Sequence, residues 1–465
     1  MKALIELAYL AAAILFIVGL KRMSHPSTAR RGNQLSAIGM LIAIVVTLLD
    51  RQIVGFGMIA VGILVGSALG LWMARAVPMT SMPQMVGLLN GFGGGASTLV
   101  AAGEWHRLVQ PGALLDASTA VSIYASTLVG AVTFSGSMVA GAKLQEIISG
   151  RPILFRGQHW VNLTLAAAIV GLSAYLTVDA AHPAVFIAVN VLALVLGVLL
   201  VIPIGGADMP VVICLLNSYS GIAAALTGFV IGNHGLIITG ALVGASGIIL
   251  TQIMCKAMNR SLTNVLFGGF GAATVGGGDA DRARALAARG VRQITPEDGA
   301  ALLAYARHVI VVPGYGLAVA QAQHQVFELA QLLEKKGADV KFAIHPVAGR
   351  MPGHMNILLA EANVPYDRLF DMDQINTEFE RCDAVLVVGA NDVVNPAARN
   401  DPQSPLWGMP ILDVDKAQNV IVMKRSMNPG FAGVENELFY DRKTAMLFGN
   451  AKDSLQKLIT EVKAL

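Results

Sequence analysis

The sequence predicts a polytopic α-helical membrane domain of about nine spans, followed by a Rossmann-like α/β domain with a parallel sheet. Three observations lead there. Of 465 residues, 55% are hydrophobic and 14% charged, with a mean hydropathy of +0.62, whereas soluble domains carry about 25% charge. The charges are sparse before about residue 255 and common after about residue 279, which divides the chain into a lipid part and a water part. The later part alternates short apolar runs with helical stretches, the pattern of a doubly wound sheet. The expected division is 1–260, a glycine-rich linker at 261–285, and 286–465.

A spanning helix needs about 20 mostly apolar residues. Nine segments qualify, centred on 3–20, 36–50, 53–74, 83–103, 118–142, 160–178, 183–203, 209–231 and 235–257, the second being short. The first is expected to be a retained helix: Lys2 is its only early cation, and no A-x-A-like cleavage site follows Leu20. An odd number of spans puts the termini on opposite sides. Lys21, Arg22, Arg30, Arg31, Arg75, Lys143, Arg151, Arg156, Lys256 and Arg260 then share one side, against Lys2, Arg51 and Arg107 on the other. The positive-inside rule places the polar C-terminal half in the cytoplasm and the N-terminus outside.

Small residues crowd stretches such as 88–105 and 125–143, where they allow helix backbones to approach in lipid. Polar side chains at depth carry more information, because each costs free energy unless it is paired or wetted. Asn90, Ser137 and Asn217 lie inside spans, and Asp208 opens the eighth after the break PIGGAD. Helix–helix hydrogen bonding would account equally well for Asn90 or Asn217. Cys214, Cys255 and Cys382 form no ligand spacing, so neither a disulfide framework nor a zinc site is expected. The net charge of +3, with no basic stripe interleaved with aromatics, excludes a nucleic-acid partner.

In the polar half, Thr295-Pro-Glu-Asp reads as a helix start. Strand-like runs follow at 308–313, 339–346, 384–390, 410–414 and 419–425, with a long helix at 318–337 stopped by Gly337. Gly314-Tyr315-Gly316 closes the first strand where a phosphate would meet a helix N-terminus, but Val319 stands where a dinucleotide fingerprint has its third glycine. The second strand ends in Ile344-His345-Pro346, without the acid that usually holds an NAD ribose. Lys424-Arg425-Ser426 ends the last strand with two cations and a hydroxyl, suited to an extra phosphate. Together these favour NADP over NAD. The loops 345–356 and 389–402 concentrate Gly, Pro, Asn and charged residues at strand tips, and His345 with His354 has no usual metal spacing.

Several long motifs now fall in order: GGADMPVV and LNSYSG within 205–221, IMCKAMNRS at 253–261, PGYGLAVAQAQ at 313–323, IHPVAGRMPGHMN at 344–356, EANVPYD at 361–367, GANDVVNPAA at 389–398 and KRSMNPGFAGVEN at 424–436. Over essentially its whole length the chain resembles the beta subunit of the proton-translocating NAD(P) transhydrogenases. The resemblance implies a proton-conducting membrane domain, an NADP(H)-binding domain, and a partner alpha subunit carrying NAD(H). It also implies a multi-pass protein of the cell inner membrane, direct Si–Re hydride transfer with no catalytic side chain or metal, and a dimer of alpha–beta units in lipid. By resemblance, the cofactor residues are Gly314, Tyr315, Gly316, Leu317, Ala318 and Val319 in the pyrophosphate turn, and Val347, Ala348, Gly349, Arg350, Met351 and Pro352 in the next loop. Gly389, Ala390, Asn391 and Asp392 follow, then Lys424, Arg425 and Ser426 on the 2′-phosphate. Gly430, Phe431, Ala432 and Gly433 belong to a lid. Asn90, Ser137, Asp208 and Asn217 are implied on the proton path, with Asn90 where some members carry a histidine and Phe431 where a tyrosine is common. A nucleotide-gated channel is the competing class, but such sensors usually keep the acidic ribose clamp, and no pore filter is recognisable.

Overall fold

The computed structural model describes residues 2–23, 26–49, 56–109, 115–145, 147–149, 152–205, 208–258, 261–267, 290–351, 353–404, 406–430 and 432–465. Pro352, Phe431, the loop cations Arg51, Arg151 and Arg260, and linker residues 268–285 lie outside them. The chain falls into two compact units, 1–252 with 265–269, and 253–264 with 270–465.

Among the described residues, nine helices are long and apolar enough to cross a membrane. They are α1 (Lys2–Met23), α2 (Pro26–Leu48), α3 (Phe56–Ala76), α4 (Met82–Leu108), α5 (Ala117–Leu144), α6 (Gln158–Val178), α7 (Pro183–Val201), α8 (Met209–Val230) and α9 (His234–Ala257). A short helix, α10 (Leu262–Phe267), follows. The second span is not short: its polar start, PSTARRGNQ, is helical and extends α2 to 23 residues. Proline at the first or second helical position opens α4, α7 and α8, where a missing N–H costs nothing.

α5 is the centre of this unit, with 72% of its apolar window buried. Glycine makes the approach possible. A Cβ on Gly94 of α4 would lie 2.6 Å from Gly130 O of α5, and one on Gly197 of α7 would lie 2.6 Å from Val132 O. The α8–α9 pair meets in the same way at Gly221, Gly240 and Gly244. Lys143, counted above among the loop cations, is buried in the last turn of α5. Its Nζ donates to the carbonyls of Ile202 and Ile204 at 2.5 and 2.8 Å, closing the C-terminal end of α7.

The second unit carries a six-stranded sheet, all parallel, in the order β3-β2-β1-β4-β5-β6. Its strands are β1 (His308–Pro313), β2 (Asp339–Ile344), β3 (Leu369–Asp371), β4 (Ala384–Val388), β5 (Asn419–Lys424) and β6 (Thr444–Phe448). This is the doubly wound arrangement, with its switch point between β1 and β4. Every residue of β4 is buried, as expected of a central parallel strand covered on both faces. The apolar run 410–414 is not a strand. Pro410 has no N–H to offer a ladder, and Leu412 N instead donates to Val393 O at 3.0 Å, so Leu412 and Val414 are buried against the sheet rather than within it, while Ile411 packs with Ala398, Leu406 and Met409. The long helix expected at 318–337 is divided into α12 (Tyr315–Val319) and α13 (Gln323–Lys335), with Gln321 at φ 48° between them. Gly337, at φ 96°, ends α13 as expected. Before β1, α11 (Pro296–Ala304) opens with a full capping box between Thr295 and Asp298. Helix α14 (His354–Glu361) follows β2, and α15 (Met372–Ile375), α16 (Ala397–Asn400) and α17 (Ala451–Ala464) complete the unit.

Candidate functional site

The carboxyl ends of β1, β4 and β5 open onto a cleft of about 600 Å³. Its floor is a contact between backbones. Gly314 N donates to Val388 O and Gly316 N to Gly389 O, both at 2.9 Å, so the turn after β1 is hydrogen-bonded to the end of β4. No side chain fits between them. A Cβ on Gly314 would lie 2.3 Å from Ala390 Cα, and one on Gly316 would lie 2.7 Å from Gly389 Cα. Gly389 itself sits at φ 66°, a conformation that favours glycine.

Val319, in the place of the third glycine, lines the cleft and is 44% exposed. The third glycine of the fingerprint serves close packing of a helix on a strand. Here α12 ends at Val319, so that demand does not arise. Tyr315, Val347, Ala348 and Gly349 line one side, Ala390, Asn391 and Asp392 another, and Lys424, Arg425, Ser426 and Gly430 a third. Leu317 and Ala318 are fully buried beneath the turn, and Met351 is buried too. The Arg350 guanidinium stacks 4.3 Å from the centre of the Tyr315 ring. Ala432 N donates to Asp392 Oδ2 at 3.0 Å, which brings Ala432 against the loop after β4.

Charge is arranged unevenly. Arg425 and Ser426 are exposed at the mouth, while Lys424 is half-buried over the Phe439 ring and donates to Asn428 O. Burial lowers the Lys424 pKa, and the nearby carboxylates of Glu435 and Asp392 oppose that. The Asn391 amide is oriented by its neighbours, its oxygen accepting from Gly430 N at 2.6 Å and Lys424 Nζ at 3.3 Å. His345, at the tip of β2, donates from Nε2 to Pro410 O at 2.7 Å and accepts Val347 N–H on Nδ1 at 3.2 Å. Both ring nitrogens are engaged, and burial pushes the imidazole down to about 4. Among the described residues, no group of three or more His, Cys, Asp or Glu could hold a metal.

The sequence profile of the family described as NAD(P) transhydrogenase beta subunit matches residues 5–461. The chain is similar to the NAD(P) transhydrogenase subunit beta of Rhodospirillum rubrum, 50% identical over 457 residues that cover 97% of each chain. The figures are the same for the chain of that name from one defined strain of the species. This chain belongs to the NAD(P) transhydrogenase beta-subunit family.

Membership matches the resemblance carried by the motifs, and it makes the membrane residues of this beta subunit worth placing. Asn90 is buried and its Nδ2 donates to Ile213 O at 3.3 Å, tying α4 to α8. Ser137 of α5 is fully buried beside Gly91 of α4, and its Oγ has no hydrogen-bond partner among the described residues. Asn217 lies one turn along α8 from Ile213 and is partly exposed. Asn90 and Ser137 thus lie where α4 meets α8 and α5, and Asn217 shares α8 with Ile213. Asp208 stands apart, at the N-cap of α8.

Sequence reasoning missed Ala320, Val393, Met423, Asn428, Pro429, Gly449, Asn450 and Ala451, all of which line the cleft. Gly449-Asn450-Ala451 could have been found: Asn450 caps α17 by accepting Lys452 N–H at 3.0 Å, and a Gly-Asn pair before a helical pattern is a start signal. The others come to the cleft only through the topology.

Proposed function

We propose that this chain is the NADP(H)-binding and proton-conducting subunit of a proton-translocating transhydrogenase. Residues 286–465 hold NADP(H), 1–260 conduct protons, and 261–285 link them. The alpha subunit brings NAD(H), and the assembly is a dimer of alpha–beta units in the cell inner membrane, with the N-terminus outside and the NADP(H) domain in the cytoplasm. The observation that carries this reading is the cleft at the switch point. A glycine floor too close for any Cβ faces Lys424, Arg425 and Ser426, while the tip of β2 offers a neutral histidine where an NAD site would place an acid.

The residues fit the group. Gly314 and Gly316 let a pyrophosphate approach the backbone, with Val319 closing the turn and Leu317 and Ala318 anchoring it from below. Lys424, Arg425 and Ser426 face the 2′-phosphate, and Arg350, Met351, Gly389 and Asp392 line the loops beside it. Gly430, Ala432 and Gly433 cover the nucleotide, and by resemblance Pro352 and Phe431 take part. When bound, NADP(H) supplies the hydride acceptor or donor for Si–Re transfer. The chain's own task is to hold one nicotinamide against the other and to exclude water, which needs positioning rather than an acid–base side chain. Asn90, Ser137 and Asn217, with Asp208 at the helix start, line the proton path. Asn90 cannot titrate, so the proton carrier is assigned to a histidine on a membrane helix of the alpha subunit.

Titrating NADP and NAD onto the purified complex tests the reading. Two charge-assisted hydrogen bonds at about 1.5 kcal/mol each amount to roughly 100-fold in affinity. Lys424→Ala with Arg425→Ala should therefore weaken NADP(H) binding by about that factor and leave NAD(H) binding unchanged. An unmodified complex that prefers NAD at this site, or a double variant that keeps its NADP preference, removes the support.

A further inference from the structure

Two buried asparagines lie behind the cleft in the same geometry with roles exchanged. Asn395, in the loop after β4, is fully buried. Its Oδ1 accepts Ala397 N–H, two residues on, at 3.0 Å, and its Nδ2 crosses to the other loop to donate to Glu435 O at 3.0 Å. Asn436, in the loop after β5, is 1% exposed. Its Oδ1 accepts Leu438 N–H, again two residues on, at 3.0 Å, and its Nδ2 crosses back to donate to Asn391 O at 3.0 Å. Each amide thus folds its own loop into an Asx turn and reaches over to the backbone of the other. Asn carries an acceptor oxygen and a separate NH2 donor on one short side chain, so a single amide serves both loops at once.

The loops joined in this way carry the polar groups of the cleft. Asn391 and Asp392 precede Asn395, while Lys424, Asn428 and Gly430 precede Asn436. The contacts nearer the mouth are single ones: Ala432 N to Asp392, Gly430 N to Asn391, and Lys424 to Asn428 O. Glu435, whose carbonyl Asn395 holds, presents its carboxylate to Tyr440 Oη at 3.2 Å and lies near Lys424. The two loops are therefore joined at their roots by a pair of part-buried hydrogen bonds whose donors come from buried amides, and a lowered local dielectric strengthens such bonds.

We propose that Asn395 and Asn436 form a reciprocal clamp that fixes the distance between the loops after β4 and β5 and so sets how fast NADP(H) leaves the cleft. They are positioning residues, acting through Asp392, Gly430 and Lys424. The proposal rests on the reading of the cleft as the NADP(H) site. It separates two jobs on one pair of loops: the residues at the mouth recognise the nucleotide, and the asparagines at the root time its release.

Asn395→Asp and Asn436→Asp keep the Asx-turn acceptor but set a carboxyl oxygen against the carbonyl each amide had bonded, so Asn395→Ser and Asn436→Ser, which drop the crossing donor without a buried charge, are measured beside them. In the complete alpha–beta complex, NADPH release would be followed by stopped-flow fluorescence, with KM for NADPH and NADH measured alongside. Each variant should release NADPH about 10-fold faster, with KM for NADPH raised and KM for NADH unchanged. The double variant should be little faster than either single one, because removing either crossing bond already frees the loops. Release at the wild-type rate in either folded variant overturns the clamp. So does a rise in both KM values together with a lowered Tm of the nucleotide-free complex, the mark of a merely structural role. If one variant fails to assemble, the other carries the same two outcomes. An unmodified complex with no releasable NADPH would instead sink the reading of the cleft.

Discussion

Gly314 and His345 show how single side chains set the limits of this site. At Gly314 the space for a side chain is already taken by the Ala390 backbone, 2.3 Å from a Cβ. Backbone cannot yield as a flexible side chain can, so Gly314→Ala must part β1 from β4 at the switch point. Overpacking of this kind costs about 1–3 kcal/mol, and the parted ends are those proposed to receive the pyrophosphate. The expected result is a lower Tm together with lost NADP(H) protection of the complex, and a variant with wild-type NADPH affinity contradicts the floor assigned here. His345 makes a prediction about pH. Its folded pKa is depressed to about 4 by burial, while an unfolded imidazole titrates near 6.5. Between those values the unfolded chain binds the proton and the folded one does not. The contribution is complete above pH 6.5 and is lost as pH falls towards 4. Protonation would also place an N–H on Nδ1 against Val347 N–H. The loss is on the order of 3 kcal/mol, so the Tm of the wild-type chain should fall over that window more steeply than that of His345→Asn. Parallel curves for the two proteins refute it. Cys382 adds no such dependence, because burial pushes its thiol up to about 12.

At the scale of elements, the capping box at the start of α11 is a clean test of local encoding. Thr295 Oγ1 accepts Asp298 N–H at 3.3 Å, and Asp298 Oδ2 accepts Thr295 N–H at 3.2 Å. Thr295→Ala removes one half of the box and should cost about 1 kcal/mol, read as a small fall in the Tm of the complex with NADPH affinity unchanged. A loss of NADPH binding instead would mean that α11 reaches the cleft, which it does not line. Thr295 was legible because a cap is a local matter of one side chain and its next three residues. The nine spans and strands β1, β2, β4 and β5 were legible for a similar reason, since apolar surroundings, lipid for the spans and packed protein for the strands, leave a continuous apolar run. Edge strands escape that rule. β3 is three residues long and only partly buried, and β6 is a short mixed run whose outer side is completed by Gln293 bridging to Met446. The run 410–414 misled for the converse reason, being apolar because it covers the sheet. The glycines and Lys424-Arg425-Ser426, which line the cleft, were readable because glycines at a strand tip and paired cations at another form a local pattern suited to phosphate. Asn428 and Asn450 were not assigned to the cleft, since only the order of strands brings them to one opening. Lys143 likewise reads as a loop cation until α7 is seen ending beside it.

For the whole molecule, the proposed function raises the question of how nucleotide binding in the cleft would be coupled to a proton. The two nicotinamide couples are nearly isoenergetic, so the hydride step itself gives the proton little to drive. Binding is the other place where free energy can enter. One charge moved through 100 mV yields about 2.3 kcal/mol, which is roughly a 50-fold change in affinity. In a two-state nucleotide domain, open or occluded, that factor would move the balance from about 1:7 to about 7:1. The groups at the mouth of the cleft suit such a switch: Asp392 holds Ala432 N–H, and half-buried Lys424 lies near both Asp392 and Glu435. In the membrane unit the backbones of α4 and α5 touch at Gly94 and Gly130, and Asn90 ties α4 to Ile213 O of α8, so under the proposed proton path a change in the spacing of α4 and α8 would be registered at that bond. The expected outcome, in vesicles carrying the complex, is an NADPH release rate that changes by up to about 50-fold per 100 mV of imposed potential. Asn90→Ala should uncouple the two, leaving hydride exchange between bound nucleotides intact while release no longer follows the potential. A release rate indifferent to potential in the unmodified complex would show that the proton acts elsewhere than on NADP(H) binding.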